Sequence, residues 1–208
     1  MTSFEQTDTG TESREMPGER FLTGMKNRLL QSLARSMPGA FTFRVWAHRR
    51  RGVVMGKRVH IAPDVIIETA YPQWVSIGNN VQLGTRCMIL AHMHTLPPGN
   101  SALKNYVSVR IEDDTYIGPG AIILPNVRIG RGAVVTAGSV VSRSVPPGIM
   151  VQGNPAKPVA RCGVPLTWDT PLKAFYLNLR PIAGRDSNTH STEGASDSIG
   201  MSPDPGGR

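Results

Sequence analysis

Ile117-Gly118-Pro119-Gly120-Ala121-Ile122 is followed by Ile123-Leu124-Pro125-Asn126-Val127-Arg128, Ile129-Gly130-Arg131-Gly132-Ala133-Val134 and Val135-Thr136-Ala137-Gly138-Ser139-Val140. Each six-residue unit opens on an aliphatic residue, Gly often comes next, and the fifth position is small or branched. A short fixed period with one aliphatic per unit is the mark of a solenoid whose flat faces stack, because no single unit can bury its aliphatic alone. Six residues suffice for a short extended segment and a tight corner. Three units make a triangular coil, and strands of successive coils pair in parallel. The glycines are expected at corners, where their backbone freedom is useful.

The period extends outward. Met55, Ile61 and Ile67 are spaced by six, as are Ile77, Leu83 and Ile89, and the count runs unbroken from Ile111 to Val141. Ten residues separate Ile67 from Ile77, so a bulge is expected around Tyr71-Pro72-Gln73-Trp74. Twenty-two separate Ile89 from Ile111, which predicts an inserted loop around Leu96-Pro97-Pro98-Gly99-Asn100. A β-sandwich would alternate polar and apolar residues and would not hold a six-residue phase.

The chain has 208 residues and a net charge of +8. No apolar run is long enough to cross a bilayer, and the polar, acidic first twenty residues do not read as a signal peptide. Two cysteines, Cys87 and Cys162, form no disulfide framework and suit a reducing, cytoplasmic setting. Cys87 takes the small fifth position of a unit, where a packing role and an unreactive thiol are expected. Residues 1–20 carry five acids and two bases, and residues 183–208 four acids and two bases. That leaves a surplus of +13 between them (19 bases less six acids), which calls for an anionic partner. The densest cluster is Arg44, Arg49, Arg50, Arg51, Lys57 and Arg58, with Trp46 and His48 among them; a solvated face is its default reading. No nucleic-acid-binding motif accompanies it.

The chain therefore divides into a disordered segment (1–20), a helical segment (21–51), the solenoid (52–160), a C-terminal segment with a short helix over 169–180, and a disordered tail (183–208). The first helix spans 21–37, with Leu22, Met25, Leu29, Leu30 and Leu33 on one face. That face is expected to dock on the solenoid end, which needs a cap, in preference to a lipid interface.

The repeats, together with Val151-Gln152-Gly153-Asn154-Pro155-Ala156-Lys157, resemble the hexapeptide-repeat acyltransferases, and within them the sugar and xenobiotic O-acetyltransferase branch. The resemblance covers roughly residues 52–160. It implies an all-β solenoid, a left-handed parallel β-helix, that assembles as a homotrimer and transfers acetyl from acetyl-CoA to a hydroxyl of a saccharide or small metabolite. It implies a histidine general base beside the inserted loop, since an attacking alcohol must lose its proton and imidazole titrates near the working pH. Ile89-Leu90-Ala91-His92-Met93-His94 offers two candidates, of which His94 is preferred by phase and His92 retained. By the same resemblance Gly120, Ala137 and Gly138 line the pantetheine arm, and Ser142, Arg143, Lys157 and Arg161 serve the phosphates. No metal is implied. The competing readings are an N-acyltransferase on an amino-sugar, which needs the same base, and a non-catalytic solenoid; a carbonic-anhydrase-like zinc site would need three spaced histidines, and His60, His92 and His94 lack that arrangement.

Overall fold

The computed structural model describes residues 21–92 and 108–182. The chain visits three parallel sheets in rotation. The first sheet, here called A, holds Val54–Met55 (β1), Val75–Ile77 (β4), Val109–Ile111 (β7) and Arg128–Ile129 (β10). Sheet B holds His60–Ile61 (β2), Gln82–Leu83 (β5), Tyr116–Ile117 (β8), Val134–Val135 (β11) and Ile149–Gln152 (β13). Sheet C holds Ile66–Ile67 (β3), Met88–Ile89 (β6), Ile122–Ile123 (β9) and Val140–Val141 (β12). Every third strand pairs in parallel, and the registers place Ile61 on Leu83, Ile67 on Ile89 and Ile77 on Ile111. The residues that set the six-residue count are the core: Ile61, Ile67, Leu83, Ile89, Ile111, Ile117, Ile123, Ile129 and Val135 are all fully buried.

The glycines serve a different purpose from the one their sequence position suggests. The glycine after the inward aliphatic is required by close approach, since a Cβ on Gly118 would lie 2.5 Å from the amide nitrogen of Ala137 in the next coil. Gly78, Gly84 and Gly130 meet the next coil in the same way. The left-handed corner comes two residues later, at Asn80, Arg86, Asp114, Gly120, Asn126, Gly132 and Gly138, with φ between 56° and 68°. Corner freedom therefore accounts for a glycine only at the latter positions, and Asn, Asp and even Arg fill the role elsewhere.

The expected bulge is present as a 3₁₀ turn at Pro72–Trp74. The loop expected around 96–100 lies outside the described residues, as do the terminal segments 1–20 and 183–208. At the C-terminal end Lys157–Cys162 (β14) folds back antiparallel on β13, and Leu179–Pro181 (β15) adds antiparallel to β14. The helix expected over 169–180 is shorter, Leu172–Leu177 (α3), and buries only Phe175. Leu179 belongs to β15, because pairing with Cys162 takes the chain out of the helix.

Two helices close the other end, Phe21–Ser36 (α1) and Phe43–Arg51 (α2). The docking expected of α1 is overturned in its orientation. The face turned to the protein is Gly24, Asn27, Gln31 and Ala34, whereas Leu22, Met25, Leu29 and Leu33 are exposed. Small residues allow close approach to α2, and Gln31 donates to the carbonyl of Val65 at 3.0 Å, which an aliphatic could not do. The basic cluster is likewise only partly a solvated face. Arg44 is buried and donates to the carbonyls of Met37 and Ile61. Arg51, 4% exposed, donates to the carbonyls of Ile67 and Glu68, to Oε1 of Gln31 and to Nδ1 of His48. These two guanidiniums occupy carbonyls that the first coil, with no coil beneath it, would leave unpaired.

Candidate functional site

The corner between sheets C and A is where the chain leaves the six-residue beat, once in each of two successive coils. In the first of them Glu68 follows the inward Ile67; in the second Leu90, Ala91 and His92 follow Ile89. Stacking of the two coils brings Oε2 of Glu68 to 2.7 Å from Nδ1 of His92. The Glu68 side chain is 1% exposed and the His92 side chain 35% exposed. Burial alone would raise the Glu68 pKa, but His92 and the backbone N–H groups of Ala91, Ala70 and Tyr71 all donate to it and together hold it below the ordinary carboxylate value. An ionised carboxylate only accepts, so the proton between the two groups belongs to Nδ1, and in the neutral ring the lone pair then lies on Nε2. The Tyr71 ring meets His92 edge-on at 5.4 Å and is itself stacked on Trp74 at 4.2 Å, so the bulge walls the imidazole on one side.

Glu68 was not singled out in the sequence. The signal was available in part: an acid takes the place after the inward aliphatic Ile67, where most units put Gly, Ala or Leu, just before the ten-residue spacing that breaks the beat; Glu112 after Ile111 shares the first feature but not the second. His94 lies outside the described residues. His60 belongs to another sheet, with its ring 4.9 Å from both Phe41 and Trp168. Cys87 is fully buried, and burial raises its thiol to about 12, so it is a core residue.

The structure gathers part of the expected donor site. Gly120 and Ala137-Gly138 sit at one corner, between sheets B and C, on consecutive coils: the Gly138 N–H donates to the carbonyl of Pro119 at 2.9 Å. This corner is exposed and nearly bare of side chains; a Cβ on Gly138 would meet nothing within 4 Å. Ser142 and Arg143, both exposed, occupy the other edge of sheet C, two coils beyond Leu90 at the corner that carries His92. Lys157 is exposed at the head of β14, opposite Gln152. Arg161 is exposed further along the same strand, between Ile149 and Arg180, and so sits away from Lys157.

Comparison with known proteins gives a consistent picture. Residues 108–143 match the family described as bacterial transferase hexapeptide (six repeats). The chain is 34% identical over 138 residues to the putative acetyltransferase YvoF of Bacillus subtilis, covering 66% of this chain and 77% of that one. It is 39% identical over 89 residues to a putative acetyltransferase of Schizosaccharomyces pombe, covering 42% of this chain but only 43% of the relative. In fold it resembles a hexapeptide-repeat-containing acetyltransferase of Vibrio cholerae complexed with acetyl coenzyme A, with a TM-score of 0.53 at 22% identity, covering 67% of this chain and 87% of that one. Coverage, identity and repeat together establish that this chain belongs to the hexapeptide-repeat acetyltransferase family.

Proposed function

We propose that the protein transfers the acetyl group of acetyl-CoA to a hydroxyl of a saccharide or small hydroxylated metabolite, with His92 as general base and Glu68 as the residue that orients it. The observation that carries this is the contact between the buried Glu68 carboxylate and His92 Nδ1. It fixes the tautomer, holds the ring and stabilises the imidazolium formed on proton uptake, the role a carboxylate plays behind a catalytic histidine in other acyl-transfer sites. Nε2 takes the proton of the acceptor hydroxyl as its oxygen forms the new bond to the thioester carbonyl. The bond to sulfur then breaks, and the proton on Nε2 is available to the departing thiolate. Because Cys87 is buried and its thiol is held protonated, the acetyl group moves directly, without a stop on the enzyme.

Acetyl-CoA suits the residues present. The bare corner at Gly120, Ala137 and Gly138 gives a narrow pantetheine arm access to backbone, and Ser142, Arg143 and Lys157 supply a hydroxyl and two cations for phosphate oxygens. Arg161 is the weakest member of that set, since it lies four residues further along β14 than Lys157.

We read the coil as left-handed and the assembly as a homotrimer. Support comes from the outward positions of sheet C, which are Ile66, Met88, Ile122 and Val140: a continuous apolar stripe, already half-buried in the single chain. The matching positions of sheet A are Val54, Ser76, Arg110 and Arg128. A stripe flanked by the glycine corner on one edge and the His92 corner on the other would bring the two half-sites of neighbouring subunits together. The test is thiol release from acetyl-CoA against a panel of hydroxylated saccharides and amino-sugars, with the product identified by mass. Release with amino-sugars alone would replace the hydroxyl acceptor by an amine, and no release with any acceptor would remove the reading.

A further inference from the structure

Helix α1 carries its apolar residues on the side away from its own protein. Leu22, Met25, Leu29 and Leu33 recur at intervals of three and four, one continuous stripe on a helix, and are 78%, 54%, 62% and 38% exposed. Phe21, 78% exposed, and Met37, 43% exposed, extend the stripe at the two ends. The opposite stripe, Gly24, Asn27, Gln31 and Ala34, is the one that packs. Contiguous apolar surface of this kind is rarely left open by a protein that has no use for it.

What covers it must match the charge around it. From residue 21 to residue 63 the chain has nine bases and no acid. Lys26 and Arg28 are exposed on α1 itself, Lys26 within the stripe and Arg28 at its flank, where long stems can lie along apolar surface while the heads reach out. Arg35 is matched by Asp64, the first acid after the helices, at 3.5 Å. A second copy of the same face would bring like charges together. Residues 1–20 carry five acids, but their only large apolar residues are Met1, Phe4 and Met16, too few for the stripe. An anionic bilayer offers both an apolar interior and negative headgroups, and an amphipathic helix with basic flanks lies in that boundary. No helix among the described residues is long and apolar enough to cross a membrane, so the mode is lying on the surface. We propose that α1 is an interfacial anchor that rests Leu22, Met25, Leu29 and Leu33 on an anionic lipid surface, with Lys26 and Arg28 at the headgroups.

The full chain should sediment with vesicles of phosphatidylcholine containing phosphatidylserine, not with phosphatidylcholine alone, and less so as salt rises. The triple variant Leu22→Ser, Leu29→Ser, Leu33→Ser should lose sedimentation while keeping its circular dichroism and melting temperature, because those side chains are exposed. Lys26→Gln with Arg28→Gln should weaken binding on the order of tenfold. Equal binding to both vesicle types, or binding untouched by the triple serine variant, overturns the proposal. So does a larger mass by light scattering for the wild type than for that variant without lipid, which would give the face to a second copy. Binding that appears only after residues 1–20 are removed would give it to that segment instead.

Discussion

Glu68 Oε2 and His92 Nδ1 lie 2.7 Å apart although 24 residues separate them in sequence. The pair exists because two consecutive coils leave the beat at the same corner, so one supplies a buried carboxylate and the other a half-exposed imidazole.

His92→Ala should lower kcat by about 10²–10⁴-fold, the usual range for loss of a general base, with little change in KM for acetyl-CoA. Glu68→Gln should also lower kcat, to a lesser degree, because a neutral amide holds the ring less firmly and does not offset the charge it gains on taking the acceptor's proton. Steady-state kinetics read both. Full activity in His92→Ala would transfer the role to His94 or remove the mechanism.

His48 supplies a pH dependence of stability. Its ring is buried and accepts from Arg51, and burial, followed by the charge of Arg51, lowers its pKa from 6.5 to about 3. A lowered folded value means that the contribution is intact above 6.5 and is lost as the pH falls toward 3. Across that window each pH unit costs on the order of 1 kcal/mol. Urea midpoints measured at stepped pH should fall more steeply for the wild type than for His48→Gln.

Arg51→Met should destabilise the fold and the site together. It removes the donor to the carbonyls of Ile67 and Glu68. Each buried carbonyl left without a partner costs roughly 1–3 kcal/mol. The denaturation midpoint should drop, and kcat should drop with it at temperatures where the variant is still folded, because the backbone of Glu68 is no longer held.

Met88→Glu places a charge in the middle of the sheet C stripe. Light scattering should give a mass near three chains for the wild type and near one for the variant. A wild-type monomer at micromolar concentration would remove the composite site.

The six-residue phase was legible because every six-residue unit imposes the same demand on its one inward residue, whose aliphatic side chain cannot leave the core without opening the stack. Glu68 was hidden because its partner lies one coil away, across the Tyr71–Trp74 bulge, and spacing along the chain does not count residues across a stack. The orientation of α1 was hidden for another reason. Periodicity shows that a helix has two faces, but which one packs was decided by Gly24 and Ala34, which permit close contact, and by the bond from Gln31 to Val65. The roles of Arg44 and Arg51 were masked by four exposed basic neighbours, Arg49, Arg50, Lys57 and Arg58.

The parallel ladders also act as a ruler. Neighbouring strands in a sheet lie about 4.8 Å apart. His92 leaves the second coil and Lys157 follows β13, which belongs to the fifth. Three coil rises separate those levels, about 14 Å along the axis at that strand spacing. A donor that reaches both residues must match that length, and inserting or removing one coil between them would change it by a single discrete step. If the proposed site holds, selection among donors of different reach would follow a whole number of turns, and a change of specificity of this kind would come by duplication of an 18-residue unit rather than by point substitution.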